Sequence, residues 1–341
     1  MGYRAAPCGK KDVRLYIRHL MQTYRQRFFS IGSNKMIRII RYLFSAAIFG
    51  FLIYYIYQHK EAISINEVIQ HKRAVGACLV MLMAAYLAGG FGWILIMREM
   101  KVEANIKESL RAWFVSQLGK YVPGKIWGAV SRLYLVSGDG SRVQVGYSIL
   151  LEMVLVNITG LCVFLFSLIL WEPMITGLGR KYLWAAVTIP VLLVLLHPDL
   201  MEKAVNLVLR RMNKDPIKLQ LKIGAIMSLF LYYIFFWCLY GLSFGILASA
   251  FMEVTIKNVL IFSGMYIFAF LVGFLSLISP SGLGVREGVL SVLLSNCMPA
   301  HTAVYVSVLS RILFTVVELG MVLIFLFYVK PGSIKQVTSW G

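Results

Sequence analysis

Charge is scarce in this chain of 341 residues, and acid is the scarcest part of it. Only 14% of the residues are charged, where ordinary soluble domains carry roughly 25%. The four aspartates, Asp12, Asp139, Asp199 and Asp215, form no D-x-D pair. The five histidines (His19, His59, His71, His197, His301) have no ligand spacing, and neither do the five scattered cysteines, Cys8, Cys78, Cys162, Cys238 and Cys297. There is no P-loop, no G-x-S-x-G and no H-E-x-x-H. A self-contained metal or nucleotide enzyme is therefore not expected, nor is ATP-driven pumping by this chain alone. No metal and no cofactor is implied.

Apolar residues are what the chain has in excess. They make up 59% of it, with a mean hydropathy of +0.76, and they fall in continuous blocks. Crossing a hydrocarbon core of about 30 Å takes roughly 20 helical residues, which these blocks supply. A membrane β-barrel would instead show short alternating segments. The reading is an all-α polytopic membrane protein. The net charge of +19 does not point to nucleic acid, because the positive residues alternate with the blocks. Lys and Arg gather in cytoplasmic loops, and their excess attracts anionic head groups.

Residues 1–36 form a basic segment with aromatics such as Tyr16, Phe28 and Phe29, expected to be cytoplasmic and partly interfacial. No cleavable signal peptide is expected there. Full spans are expected near 37–57, 74–97, 144–170, 181–197, 221–249 and 301–329, about six in all. The second holds the small residues Ala84, Ala85, Ala88, Gly89, Gly90 and Gly92, which permit close helix packing. A basic loop with Lys203, Arg210 and Arg211 separates the fourth span from the fifth, and residues 331–341 are a short tail.

Two apolar stretches are broken. In 105–137, Gly119, Pro123, Gly124 and Gly128 interrupt the helix. In 257–297 the break is Ser279-Pro280-Ser281-Gly282-Leu283-Gly284. Each reads as a re-entrant hairpin. With both hairpins re-entrant and the N-terminus inside, inside segments carry 26 of the 34 Lys and Arg: ten in 1–41, eight in 98–142, six in 198–222 and two in 330–341. That bias places both termini in the cytoplasm. Two spans, a hairpin and a span then occur twice, over about 37–170 and 181–329, with hairpins entering from opposite sides. This is the plan of an inverted repeat.

The chemistry-bearing residues cluster at the breaks. Lys120, Tyr121, Lys125 and Arg132 surround the first; Ser281, Arg286 and Glu287 form the second. Backbone freed at a break in the membrane must line protein or a watery cavity, and a helix N-terminus beside cations suits a phosphate or carboxylate. The structural alternative is snorkelling lysines in the first hairpin and an Arg286–Glu287 pair that fixes the second loop. Glu152, Arg311 and Glu318 lie inside spans, where charge is expensive and marks function or pairing. Arg311 and Glu318, seven apart, share a helix face. Pairing of Glu152 with Arg286 or Arg311, or a proton-coupling role for Glu152 and Glu318, is open at this point.

The stretches Gly119 to Arg132 and Ser279 to Gly288 resemble the paired signatures of the lysylphosphatidylglycerol synthase transmembrane (flippase-region) family. The resemblance covers roughly 35–330, and Pro280-Ser281-Gly282-Leu283-Gly284-Val285-Arg286-Glu287 is its most specific part. The first motif departs from the pattern: Ala129, Val130 and Ser131 stand where an acid is common. The family implies a module that moves lipids or handles lipid head groups in the cytoplasmic (inner) membrane of a prokaryote. The soluble aminoacyl-transferring domain of the full synthases is not expected here. The leading expectation is a lipid transporter, or flippase, for an anionic phospholipid or polyprenyl-phosphate head group held in a cationic midplane cavity. The alternatives are a membrane glycosyltransferase or accessory protein acting on lipid-linked sugars, and a scaffold for a partner enzyme.

Overall fold

A computed structural model describes residues 69–102, 105–121, 127–136, 142–171, 198–211, 221–252, 255–276, 280–282 and 284–328, all within the unit Ala62–Gly341. The expected spans near 37–57 and 181–197, the basic segment 1–36, the tail 331–341 and Lys125 lie outside the described residues. Among the described residues all regular structure is helical. In chain order the helices are α1 (Lys72–Glu99), α2 (Ile106–Gln117), α3 (Trp127–Val136), α4 (Arg142–Ile169), α5 (Pro198–Arg211), α6 (Ile223–Ala248), α7 (Ile256–Leu275), α8 (Val285–Leu294) and α9 (Ala300–Tyr328). Short 3-10 turns, Leu118–Tyr121 and Pro280–Gly282, sit at the two breaks.

Helices α1, α4, α6, α7 and α9 are long and apolar enough to cross a membrane. Their outer faces carry Val80, Phe91, Phe166, Leu231, Phe235 and Val316 in exposed positions. A helix bundle apolar both inside and outside belongs in lipid. The chain is a multi-pass membrane protein.

Residues 198–211 form a helix, where the sequence analysis has a basic loop. Pro198 occupies the first position, where its missing N–H costs nothing. Asp199 lies in the first turn, and Arg210 and Arg211 end the helix, each sign opposing the local end of the backbone dipole. Proline here starts a helix.

The small-residue stretch of α1 does what its composition implies. Gly89 faces Trp113 and Phe236, and Gly92 faces Tyr232 and Tyr233. Tyr232 donates to the Ala88 carbonyl at 2.8 Å. Large aromatics thus seat directly on the α1 backbone, and α1 packs extensively on α6. Around this pair the packing is crossed. Helix α4 lies on α7, with Phe164 stacked on Phe268 at 4.4 Å; α9 lies on α2, with Phe114 stacked on Phe325 at 4.3 Å. The long helix that follows each break therefore packs on the broken segment of the other half. Tyr240 marks the centre, its ring edge-on to those of Tyr86 and Phe314 at 5.9 and 5.5 Å.

Both breaks close through glycine. A side chain at Gly119 would collide with the backbone of Gly128 and Trp127. Gly282, with φ +70°, sits against the backbone of Gly273, where an added Cβ would come within 2.8 Å. Left-handed backbone and a vanishing gap both demand glycine at 282. Gly282→Ala should cost about 1–3 kcal/mol from the backbone alone, and more from the collision. A clear fall in the thermal unfolding midpoint in detergent is expected, while Gly76→Ala, with nothing within 4 Å of the added methyl, should leave it unchanged.

Candidate functional site

The 3-10 turns at the two breaks pack against each other. Around that meeting point the fold buries Glu152, Arg286, Glu287, Arg311 and Glu318, each at most 6% exposed. Lys120, Tyr121 and Arg132 reach the same region from the first break. The pairing among them decides what each can do.

Arg132 on α3 bonds to Glu152 on α4 through its Nη1, and its Nε donates to Ser116 Oγ at 2.7 Å. Trp93 and Trp113 lie against its guanidinium at 5.1 and 5.7 Å. Trp113 also donates its Nε1–H to Glu152 Oε1 at 2.7 Å, so both carboxylate oxygens are satisfied. Glu152 therefore pairs with Arg132, and not with Arg286 or Arg311.

Lys120 pairs with Glu318 Oε2, which also accepts from the Tyr86 hydroxyl at 2.9 Å. This unites the first break, α1 and α9 at one oxygen. Tyr121 lies within electrostatic reach of Lys120, Glu318 and Arg311.

At the second break the backbone turns through Ser281 (φ +55°), Gly282 and Gly284 (φ +81°) into α8. Glu287 Oε2 accepts the Gly284 N–H at 2.6 Å, the carboxylate half of a capping box. Its other oxygen is 3.2 Å from Arg311 Nε. Arg311 Nη2 donates to both the Ser281 hydroxyl (3.0 Å) and the Ser281 carbonyl (3.2 Å). Glu287, Ser281 and Arg311 therefore hold the loop in place. The expected Arg286–Glu287 pair is not what forms: Glu287 faces Arg311.

Arg286 is left in different company. Its guanidinium lies over the Tyr266 ring at 4.4 Å, with Phe270 at 5.2 Å and Phe314 at 6.0 Å. Among the described residues it has no carboxylate partner, and its Nη2 has no hydrogen-bond partner. Four cations (Lys120, Arg132, Arg286, Arg311) thus meet three carboxylates, and the surplus positive charge falls on Arg286. Lys125 lies outside the described residues. No group of His, Cys, Asp and Glu among those described could hold a metal ion.

The sequence analysis did not single out Tyr86, Trp93, Trp113 or Tyr266. Their signal was available: each is an aromatic residue inside a span or hairpin arm, where Tyr86 and Trp113 find a polar partner for their donor and Trp93 and Tyr266 offer a ring face to a cation.

The sequence profile of the lysylphosphatidylglycerol synthase TM region matches residues 39–321. The chain belongs to this family and has a lipid-related membrane function. No curated protein matches the chain.

The ion pairs make a specific prediction. Arg132→Ala leaves Glu152 buried with its charge uncompensated, which costs about 3–5 kcal/mol. The reversal Arg132→Glu with Glu152→Arg should recover part of the loss. Reversals of Glu152 with Arg286 or Arg311 should recover none. Thermal unfolding of the purified single and double variants reads the difference.

Proposed function

We propose that this member of the lysylphosphatidylglycerol synthase transmembrane-region family is a transporter that moves an anionic lipid head group across the cytoplasmic membrane of a prokaryote. The observation that carries the reading is Arg286, a buried guanidinium stacked on rings and lacking a carboxylate. An unpaired charge at membrane depth is expensive and persists where function uses it. The guanidinium lies over the Tyr266 ring and keeps a buried Nη2 unbonded, a donor that a phosphate oxygen would satisfy. The site also lies beside the N-terminus of α8, whose partial positive charge adds to that of the guanidinium although Glu287 already caps the Gly284 N–H.

In this reading the broken segments are re-entrant hairpins of an inverted repeat. The crossed packing of α4 on α7 and α9 on α2 supports that plan, as does the contact between the two breaks. Both termini are cytoplasmic, and the basic inner loops attract anionic lipid. Arg286 holds the phosphate, Lys120, Lys125, Tyr121 and Ser281 stand close in sequence or space to receive it, and the acyl or prenyl chains stay in lipid. Each buried carboxylate described is engaged by a cation. That favours transport over acid–base chemistry on a lipid-linked sugar.

The test is head-group accessibility in proteoliposomes carrying traces of fluorescent phospholipids and a prenyl phosphate. Wild type should expose an anionic lipid to a quencher in the opposite compartment. Arg286→Ala should abolish this while keeping the wild-type elution profile and unfolding midpoint, and Arg286→Lys, which keeps the charge and loses the planar guanidinium, should be partly active. Normal transport by Arg286→Ala rejects the site.

A further inference from the structure

Resting on the transport reading, we infer that Glu318 is a coupling-ion site that binds a proton, and that proton uptake there frees Lys120 for the lipid anion. Three observations carry it. The Lys120–Glu318 ion pair and the Tyr86–Glu318 hydrogen bond both join the first half of the chain to the second, whereas the Arg132–Glu152 and Glu287–Arg311 pairs lie within one half. Glu318 Oε1 is buried without any hydrogen-bond partner, while both oxygens of Glu152 are occupied. The Lys120 side chain is 32% exposed against 3% for Glu318, so the lysine is the outer member of the pair.

The groups facing Glu318 define the balance of charge. Tyr86 and Tyr240 face it from α1 and α6, and Lys120 and Tyr121 from the first break. Arg311 lies two turns back on the same face of α9, with Glu287 of α8 beyond it. Helix α2 meets α9 through the stacked rings of Phe114 and Phe325, and Arg111, one turn before Phe114 on α2, carries a buried Nε with no hydrogen-bond partner. Lys120 is thus the cation bonded to the Glu318 carboxylate. If the halves part while Glu318 stays ionised, an uncompensated charge is buried. If a proton from water attaches to Oε1, Glu318 becomes neutral and keeps its bond to Tyr86. Lys120 keeps its own proton and its charge, and exchanges one anion, the carboxylate, for another, the lipid phosphate. One proton is bound for each negative charge carried. Glu152 cannot serve this way, because its release would part no contact between the halves.

Two measurements test this. Infrared difference spectra of the protein in nanodiscs, between neutral and mildly acidic buffer, should show a protonated-carboxyl band in wild type and in Glu152→Gln that Glu318→Gln lacks. A band that survives Glu318→Gln, or no band in wild type, overturns the inference. In proteoliposomes with trace fluorescent phosphatidylglycerol, an imposed pH gradient should change the wild-type rate several-fold, and Glu318→Gln should lose that dependence. Transport that ignores the gradient overturns proton coupling and leaves the transporter reading standing. Failure of every anionic lipid to move overturns the transporter reading, and coupling falls with it; the infrared band still reports whether Glu318 takes up a proton.

Discussion

The structure is organised by the cost of charge in a place without water. Seven ionisable side chains lie buried or half-buried around the two broken segments, and each would cost several kcal/mol if left uncompensated in hydrocarbon. Three pairs settle six of them: Lys120 with Glu318, Arg132 with Glu152, Arg311 with Glu287. Much of the surrounding structure serves those pairs. The glycine contacts at 119–128 and 273–282 bring the turns close enough for the side chains to meet. Trp113, Tyr86 and Ser116 fill further hydrogen-bonding positions on Glu152, Glu318 and Arg132, while Glu318 Oε1 stays without a partner. Arg286 alone is accommodated by aromatic rings, a weaker compensation than a carboxylate and one that leaves donors available.

The spans were legible in the sequence because lipid imposes a simple rule on length and polarity. Residues 74–97, 144–170, 221–249 and 301–329 were each found within a few residues as α1, α4, α6 and α9. The breaks were equally legible, since the clustered glycines and proline of 119–128 and the Pro280–Gly284 run disfavour continuous helix. Helix α5 was missed because its lysine and arginines drew the segment into a basic loop, although its apolar residues recur at helical spacing. The partners of the buried charges were not legible at all. Glu152 is 20 residues from Arg132 and Lys120 is 198 from Glu318, separations that only the packed bundle decides. Adjacent residues misled as well. Arg286 and Glu287 point to different neighbours because consecutive positions on a helix are about 100° apart.

Membership of the lysylphosphatidylglycerol synthase transmembrane-region family fixes the setting in which this cluster works, and the site defines what remains to be chosen within it. Arg132 with Glu152 and Glu287 with Arg311 occupy matching places: each ties the short helix after a break to the long helix that follows. In the first half the short helix carries the base and the long helix the acid; in the second half the order is reversed. A column-by-column comparison of the two halves would score both positions as mismatches. The electrostatic work done at the two pairs is the same, so a search for internal likeness in such chains gains by treating an acid–base pair as one unit with interchangeable ends.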